Sequence, residues 1–162
     1  LFRSDVRLIV DANESWTDAD VIEQAEMLAA LGVEMIEQPV AHGREDLLAG
    51  LHPPVPFCAD ESCQDRSDLP RLDDFAAINV KLDKAGGLTE ALALADAAQA
   101  AGKRLMVGCM LGTSLGIAPA FLVAQQAEWV DLDGALLLAK DREGGLVLED
   151  GLLHPGTLWG EC

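Results

Sequence analysis

The chain has 162 residues, half of them hydrophobic, with 28 acidic against 11 basic residues and a formal net charge of −17. That length and apolar content support one domain with a real core. A surface this acidic repels phosphate backbones and anionic lipid, which argues against nucleic acid and membrane as partners.

Residues 8–10 predict a short strand ending at Asp11. Thr17 or Asp18 reads as an N-cap, and residues 19–31 follow as a helix with Val21, Ile22, Ala25, Leu28 and Ala29 at helical spacing and Gly32 as C-cap. Residues 35–37 predict the next strand, which Gln38-Pro39 breaks, and residues 44–51 a short helix. His52-Pro53-Pro54 is a turn before a strand over 56–59. Residues 67–72 predict a helical turn or two, and Ala77–Lys81 a strand ending in a lysine. Gly86-Gly87 marks a tight loop before an alanine-rich helix over 88–101, closed by Gly102. A strand over 105–109, a loop over 112–116, a helix over 117–127 and a strand over 129–132 complete the pattern. From Asp141 onward glycines and Pro155 break it up, so residues 141–162 read as an irregular C-terminal segment after a domain spanning 1–140.

No stretch approaches the ~18 consecutive apolar residues of a membrane span, and no secretory signal is visible. Cys58, Cys63, Cys109 and Cys162 form no CxxC pair. Cys58 and Cys109, in predicted strands, read as buried free thiols, and a reducing, cytoplasmic setting fits.

Four of the predicted strands close on a charged residue. LIVD ends at Asp11, EMIE at Glu37, PFCAD at Asp60 and INVK at Lys81. They recur at intervals of roughly 25 residues, the rhythm of successive β/α units, which bring strand C-termini to one face. Three carboxylates together would repel one another and raise each other's pKa, and a hard divalent cation such as Mg²⁺ removes that repulsion. A lysine beside the cation is a candidate proton-transfer base. The fold class is α/β, with six units of a TIM-type (β/α) barrel. Eight units and about 250 residues make a closed barrel, so the barrel is expected to be incomplete in this chain, with its first strands absent.

DANESW (11–16), IEQP (36–39), ADES (59–62) and KLDKAGG (81–87), in that order and spacing, resemble the barrel domain of the enolase superfamily. The paired lysines before Gly-Gly resemble its muconate-lactonizing subgroup. The resemblance implies Mg²⁺ on Asp11, Glu37 and Asp60, where it holds a substrate carboxylate and stabilises the enediolate formed when the α-proton leaves. It implies Lys81 as general base or acid on one face of the α-carbon, a lysine with Mg²⁺ being the pattern known for that superfamily. Lys84, three residues on, reads equally as a helix-entry charge. Relatives of the mandelate racemase type use a histidine near the seventh strand end. Here Gly108-Cys109-Met110 stands there, and His42, His52 and His154 all lie elsewhere.

WVDLDG (129–134) places Asp131 and Asp133 two apart, on one side of a strand if the strand continues through them. This DxD and GCMLGTSLG (108–116) resemble dipeptide epimerases of the L-Ala-D/L-Glu type, in which the pair would bind the substrate α-ammonium. Met110 joins them as a candidate substrate contact. The resemblance implies a small dipeptide as partner, and a homo-oligomer is compatible with it. The same superfamily offers rivals: N-acylamino acid racemase, o-succinylbenzoate synthase and muconate cycloisomerase, whose substrates lack that ammonium. A KxK strand before Asp11 and an N-terminal capping domain, both part of the family pattern, are not seen. A non-catalytic metal- or partner-binding barrel fragment is therefore the rival from another class.

Overall fold

The computed structural model describes residues 6–160. Residues 1–5 and 161–162, with the Leu1-Phe2-Arg3 start and Cys162, lie outside the described residues. Six short runs form strands: β1 (Leu8–Asp11), β2 (Val33–Glu37), β3 (Phe57–Ala59), β4 (Ala77–Lys81), β5 (Arg104–Gly108) and β6 (Trp129–Val130). They pair in chain order as one parallel sheet. Parallel neighbours need a crossover, and helical segments supply it. The result is α/β, six parallel strands of a TIM-type barrel, as the sequence leads one to expect.

The crossovers are α1 (Val21–Ala30), two 3-10 turns (Glu45–Leu48 and Arg66–Arg71), the pair α2 (Leu82–Ala85) and α3 (Leu88–Ala100), and the pair α4 (Ser114–Ile117) and α5 (Ala120–Ala124). Gly86 and Gly87, at φ +86° and +118°, reverse the chain between α2 and α3 in a conformation that disfavours a side chain. The helix α3 buries Ala91, Leu94, Ala95 and Ala98. That i, i+3, i+4, i+7 spacing is one helical stripe, and its small residues let the helix lie close to the sheet.

The central strands β2–β5 are buried on both faces, so they read as near-continuous apolar runs. Ile36, Phe57, Ile78, Val80 and Val107 pack outward against the helices in the main core. Met35, Cys58, Ala77, Met106 and Trp129, with Ile9, form a second cluster on the inner face. Burying one such large side chain stabilises by about 1.5–3 kcal/mol. At the sheet's lower end Arg104 stacks 4.3 Å over the Trp129 ring and pairs with Glu128 at 2.6 Å, tying β5 to β6. Among the described residues no helix is long and apolar enough to cross a membrane.

Four local expectations change. The N-cap of α1 is Asp20, without a side-chain cap bond, and the Thr17 hydroxyl is spent on the Asp20 carboxylate at 2.7 Å. The helix expected over 117–127 starts earlier, at Ser114, and divides at Pro119, which has no N–H to continue the ladder. The last strand of the sheet stops at Val130 rather than 132. The segment beyond Asp141 carries an antiparallel hairpin, β7 (Val147–Glu149) and β8 (Leu152–His154). Asp150 and Gly151 turn it, both at positive φ, the Asp-Gly chemistry of a two-residue hairpin loop.

Candidate metal and proton-transfer site

Side chains alternate along a strand, so a residue two positions past an inward one also points inward. Ile9, Met35, Cys58, Ala77, Met106 and Trp129 are the inward residues of the six strands. Two positions on stand Asp11, Glu37, Asp60, Asn79, Gly108 and Asp131, and Lys81 follows Asn79 by two more. The register places Asp11 opposite Glu37 and Lys81 opposite Gly108. Asp11, Glu37, Asn79, Lys81, Gly108 and Asp131 line one cavity of about 220 Å³ at this end of the sheet, with Ile9 and Met106 as its floor and Cys109 beside it.

Each carboxylate sits in a different environment. Asp11 is exposed, and its Oδ1 accepts from the backbone N–H of Asn13 at 2.8 Å. Glu37 is buried, and its Oε1 accepts from Asn79 Nδ2 at 2.6 Å. Burial pushes the Glu37 carboxyl up to about 7. The Asn79 bond opposes this, and the charges of Asp60 and Asp11 add to it. Asp60 is buried just beyond β3. Lys81 Nζ donates to its Oδ2 at 2.5 Å. Lys84 Nζ donates to its Oδ1, to its carbonyl at 2.7 Å and to the Asn79 carbonyl at 3.0 Å. Burial alone would raise Asp60, but Lys84 and Lys81 outweigh it and hold the group below the usual carboxylate range. Burial would likewise lower the Lys81 ammonium, yet the bond to Asp60 and the charge of Glu37 raise it. Removing one partner from such a buried pair leaves a charge uncompensated, which costs about 3–5 kcal/mol.

Asp131 and Asp133 lie past the end of β6, and Asp133 enters the 3-10 turn Gly134–Leu137. The strand geometry expected for this pair therefore does not apply, yet the two carboxyls still interact. Burial, then the charge of Asp133 and a hydrogen bond with it, push Asp131 above its ordinary range. Met110 is 45% exposed on the loop after β5, outside the residues that line the cavity.

Asn79, not singled out from the sequence, and Lys84, weighed there as a helix-entry charge, both belong here. Asn79 orients Glu37, and its Oδ1 is buried without a partner. Its place in INVK, two before Lys81, already put it on the inner face. Lys84 reaches Asp60 because α2 begins directly after Lys81 and turns the chain back within one helical turn.

The donor set is chemically right for a hard cation: carboxylate oxygens, with no sulfur or nitrogen ligand. Burial, and then the charges of Asp60 and Asp11, raise Glu37, a cost that a cation at that carboxylate would relieve. In the conformation described, lysines neutralise Asp60, and among the described residues no three His, Cys, Asp or Glu side chains stand close enough to share one ion.

A family model described as enolase C-terminal domain-like matches residues 1–160. The chain belongs to that family. Within the family it is similar to an N-acetyl-D-glutamate racemase from Pseudoalteromonas sp., 49% identical over 157 residues covering 95% of this chain and 50% of the relative. It is similar to the L-Ala-D/L-Glu epimerase of Escherichia coli K12, 48% identical over 151 residues, 93% of this chain and 47% of the relative. Among solved structures it matches an enolase family member from Agrobacterium tumefaciens with homology to dipeptide epimerases, bound to sodium and L-Ala-L-Glu. That match has a TM-score of 0.91 and 50% identity, and covers 95% of this chain and 48% of the other. It also matches a dipeptide epimerase from Methylococcus capsulatus complexed with Mg and L-Arg-D-Lys, with a TM-score of 0.84 and 37% identity, over 91% of this chain and 45% of the other. The chain spans about half the length of the curated relatives it matches.

Proposed function

We propose that this chain is the metal- and proton-transfer half of a Mg²⁺-dependent dipeptide epimerase. The full enzyme would invert the α-carbon of a dipeptide's C-terminal residue. The observation that carries the reading is the convergence of Asp11, Glu37, Asp60 and Lys81 at consecutive strand ends of one parallel sheet. Similarity to an L-Ala-D/L-Glu epimerase and to a solved dipeptide epimerase supports it.

Asp11, Glu37 and Asp60 would hold the cation, with Asp60 exchanging a lysine contact for it. Once bound, Mg²⁺ supplies positive charge for the substrate carboxylate and for the negative charge that grows there as the α-proton leaves. Lys81 Nζ takes or returns that proton on one face. Asn79 keeps the Glu37 carboxylate turned into the cavity. Asp131 and Asp133 are two adjacent carboxyls that an α-ammonium satisfies by charge and by hydrogen bonds. Inversion needs a base on each face. Lys81 is the one ammonium lining the cavity among the described residues, so the second base is assigned to a part of the enzyme outside these residues, with the capping domain and the remaining barrel strands.

The second reading is an N-acylamino acid racemase, favoured by the 49% identity to a protein named N-acetyl-D-glutamate racemase. The two substrates differ where the Asp pair acts, because acylation removes the ammonium charge. The test is direct: the complete enzyme with Mg²⁺ is given L-Ala-L-Glu and N-acetyl-D-glutamate, and the epimers are separated on a chiral column. Preferential turnover of the dipeptide is expected. Preference for the acylated amino acid selects the racemase. Inertness toward both, in a protein that binds Mg²⁺, selects the non-catalytic fragment.

A further inference from the structure

The strand end that carries Glu37 continues into Gln38, whose backbone turns left-handed at φ +33°. A residue with a side chain keeps that conformation only where its surroundings over-determine it. Here the surroundings are hydrogen bonds. Gln38 is fully buried, and its amide uses every bonding position it has. Oε1 accepts from the backbone N–H of Asp60 at 2.8 Å and of Ser62 at 3.2 Å. Nε2 donates to the Val40 carbonyl and to Ser62 Oγ, both at 2.8 Å. The Gln38 backbone N–H adds a bond to the Cys58 carbonyl at 2.8 Å. Two N–H donors face Oε1, so the reversed amide would set donor against donor.

An amide chosen only to fill space would lose to a leucine of similar bulk, because burying polar atoms has a cost that hydrogen bonding merely offsets. What the amide achieves is a link. Gln38 is bonded covalently to Glu37 and through Oε1 to the main chain of Asp60. We infer that Gln38 is a positioning residue whose side-chain amide locks the Asp60 backbone to the Glu37 strand end, and so sets the spacing of two of the three carboxylates for a divalent cation. The IEQP and ADES segments are thereby one interlocked unit, Gln38 of the first seated on Asp60 and Ser62 of the second. This rests on the metal assignment proposed above.

Mn²⁺ titration of the complete enzyme, followed by electron paramagnetic resonance, tests it without reading activity. Gln38→Met removes the polar atoms at equal length. Gln38→Asn keeps the amide but draws it one methylene back from Asp60, so it covers the case in which Gln38→Met does not fold. Ser62→Ala is the control: it deletes the hydroxyl's two hydrogen bonds, from Gln38 Nε2 and to Glu45, and leaves the Asp60 contact intact. Residues that orient metal ligands typically contribute 10–100-fold in metal affinity. A loss of about that size is expected for folded Gln38 variants, with Ser62→Ala binding Mn²⁺ like wild type even where its melting temperature falls. Wild-type affinity in either folded Gln38 variant would overturn the role of Gln38 alone. So would an equal loss in Ser62→Ala, which would reduce the effect to general stability. A wild-type protein that takes up no Mn²⁺ would overturn the metal assignment itself and the Gln38 role with it.

Discussion

Lys81 and Gly108 face each other across β4 and β5, and the Lys81 side chain lies where a side chain on Gly108 would go. A Cβ at Gly108 would sit 3.0 Å from Lys81 Cε and 2.8 Å from Asn79 Nδ2. The backbone there is ordinary strand, so this glycine provides room rather than an unusual angle. It lets two functional side chains rise side by side from β4.

Gly108→Ala should therefore act on the site more than on the fold. Overpacking of this kind costs typically 1–3 kcal/mol, and a misplacement of about 1 Å can cost roughly 10²-fold in rate. The expected outcome is a melting temperature lowered by a few degrees and α-proton exchange slowed by about 10²-fold. Exchange at the wild-type rate in the alanine variant would show that Lys81 is not confined by this neighbour.

Lys81→Ala in the complete enzyme should abolish exchange of the α-proton from one epimer and spare the other. The residue stands at a strand end with its ammonium in the cavity, so the backbone ladder survives its loss. General acid–base groups contribute typically 10²–10⁴-fold. Deuterium uptake from D₂O, followed separately on each epimer by NMR, gives the reading. Equal exchange from both epimers removes Lys81 as a base.

The strand ends were legible because each is a short apolar run closed by one charged residue. Parallel strands buried on both faces leave few polar positions, Glu34 and Asn79 among them, until the chain emerges at Asp11, Glu37, Asp60 and Lys81. The inward direction of Asn79 was available from the same period of two, but an asparagine inside INVK has no charge to draw attention. The direction of Lys84 was not available. It depends on α2 starting immediately at Leu82, and one-turn helices leave almost no periodic trace. The Asp131–Asp133 pair was visible as spacing, while its backbone was not: β6 ends early and the chain enters a tight turn at Gly134. Asp150-Gly151 within VLEDGLLH was a readable hairpin signal, hidden by the many glycines around it.

Acid should weaken the fold through the turns between β2 and β4. Glu45 accepts from Ser62 Oγ at 2.6 Å and from the Gly43 N–H at 3.0 Å, and Arg71 lies 3.5 Å away. Burial opposes ionisation of Glu45, but these partners hold it below its ordinary value. Asp68 is lowered in the same way, against its burial, by the Gln64 N–H and by Arg71 at 2.9 Å. A carboxylate lowered on folding contributes stability above its unfolded pKa and loses it as pH falls through the folded one. The stability this network supplies should thus hold down to about pH 4.3 and be lost below it, while protonation of the raised Glu37 adds stability as pH falls from about 7. Glu45→Gln should lower the neutral-pH plateau by about 0.5–1.5 kcal/mol and flatten the acid limb. A plateau and acid limb unchanged by Glu45→Gln would remove this network as the cause.

The substrate side rests on Asp131 and Asp133. Burial, and then the charge of Asp133, raise Asp131, so an ammonium placed between them relieves an interaction already unfavourable in the protein. Hydrogen bonds to charged groups contribute roughly 1.5–3 kcal/mol each, which makes loss of both worth several powers of ten in kcat/KM for a free dipeptide. The double substitution Asp131→Asn with Asp133→Asn should show that loss for L-Ala-L-Glu. It should leave the N-acetylated dipeptide nearly unchanged, since that compound has no ammonium to lose and amides can still bond its acyl group. The melting temperature should rise slightly or stay level, because the repulsion disappears along with the charges. Comparing kcat/KM for the two compounds in the two proteins isolates the charge from the shape of the loop. If the double variant turns over the free dipeptide as wild type does, the ammonium role fails and the acylamino acid racemase becomes the better reading of the site.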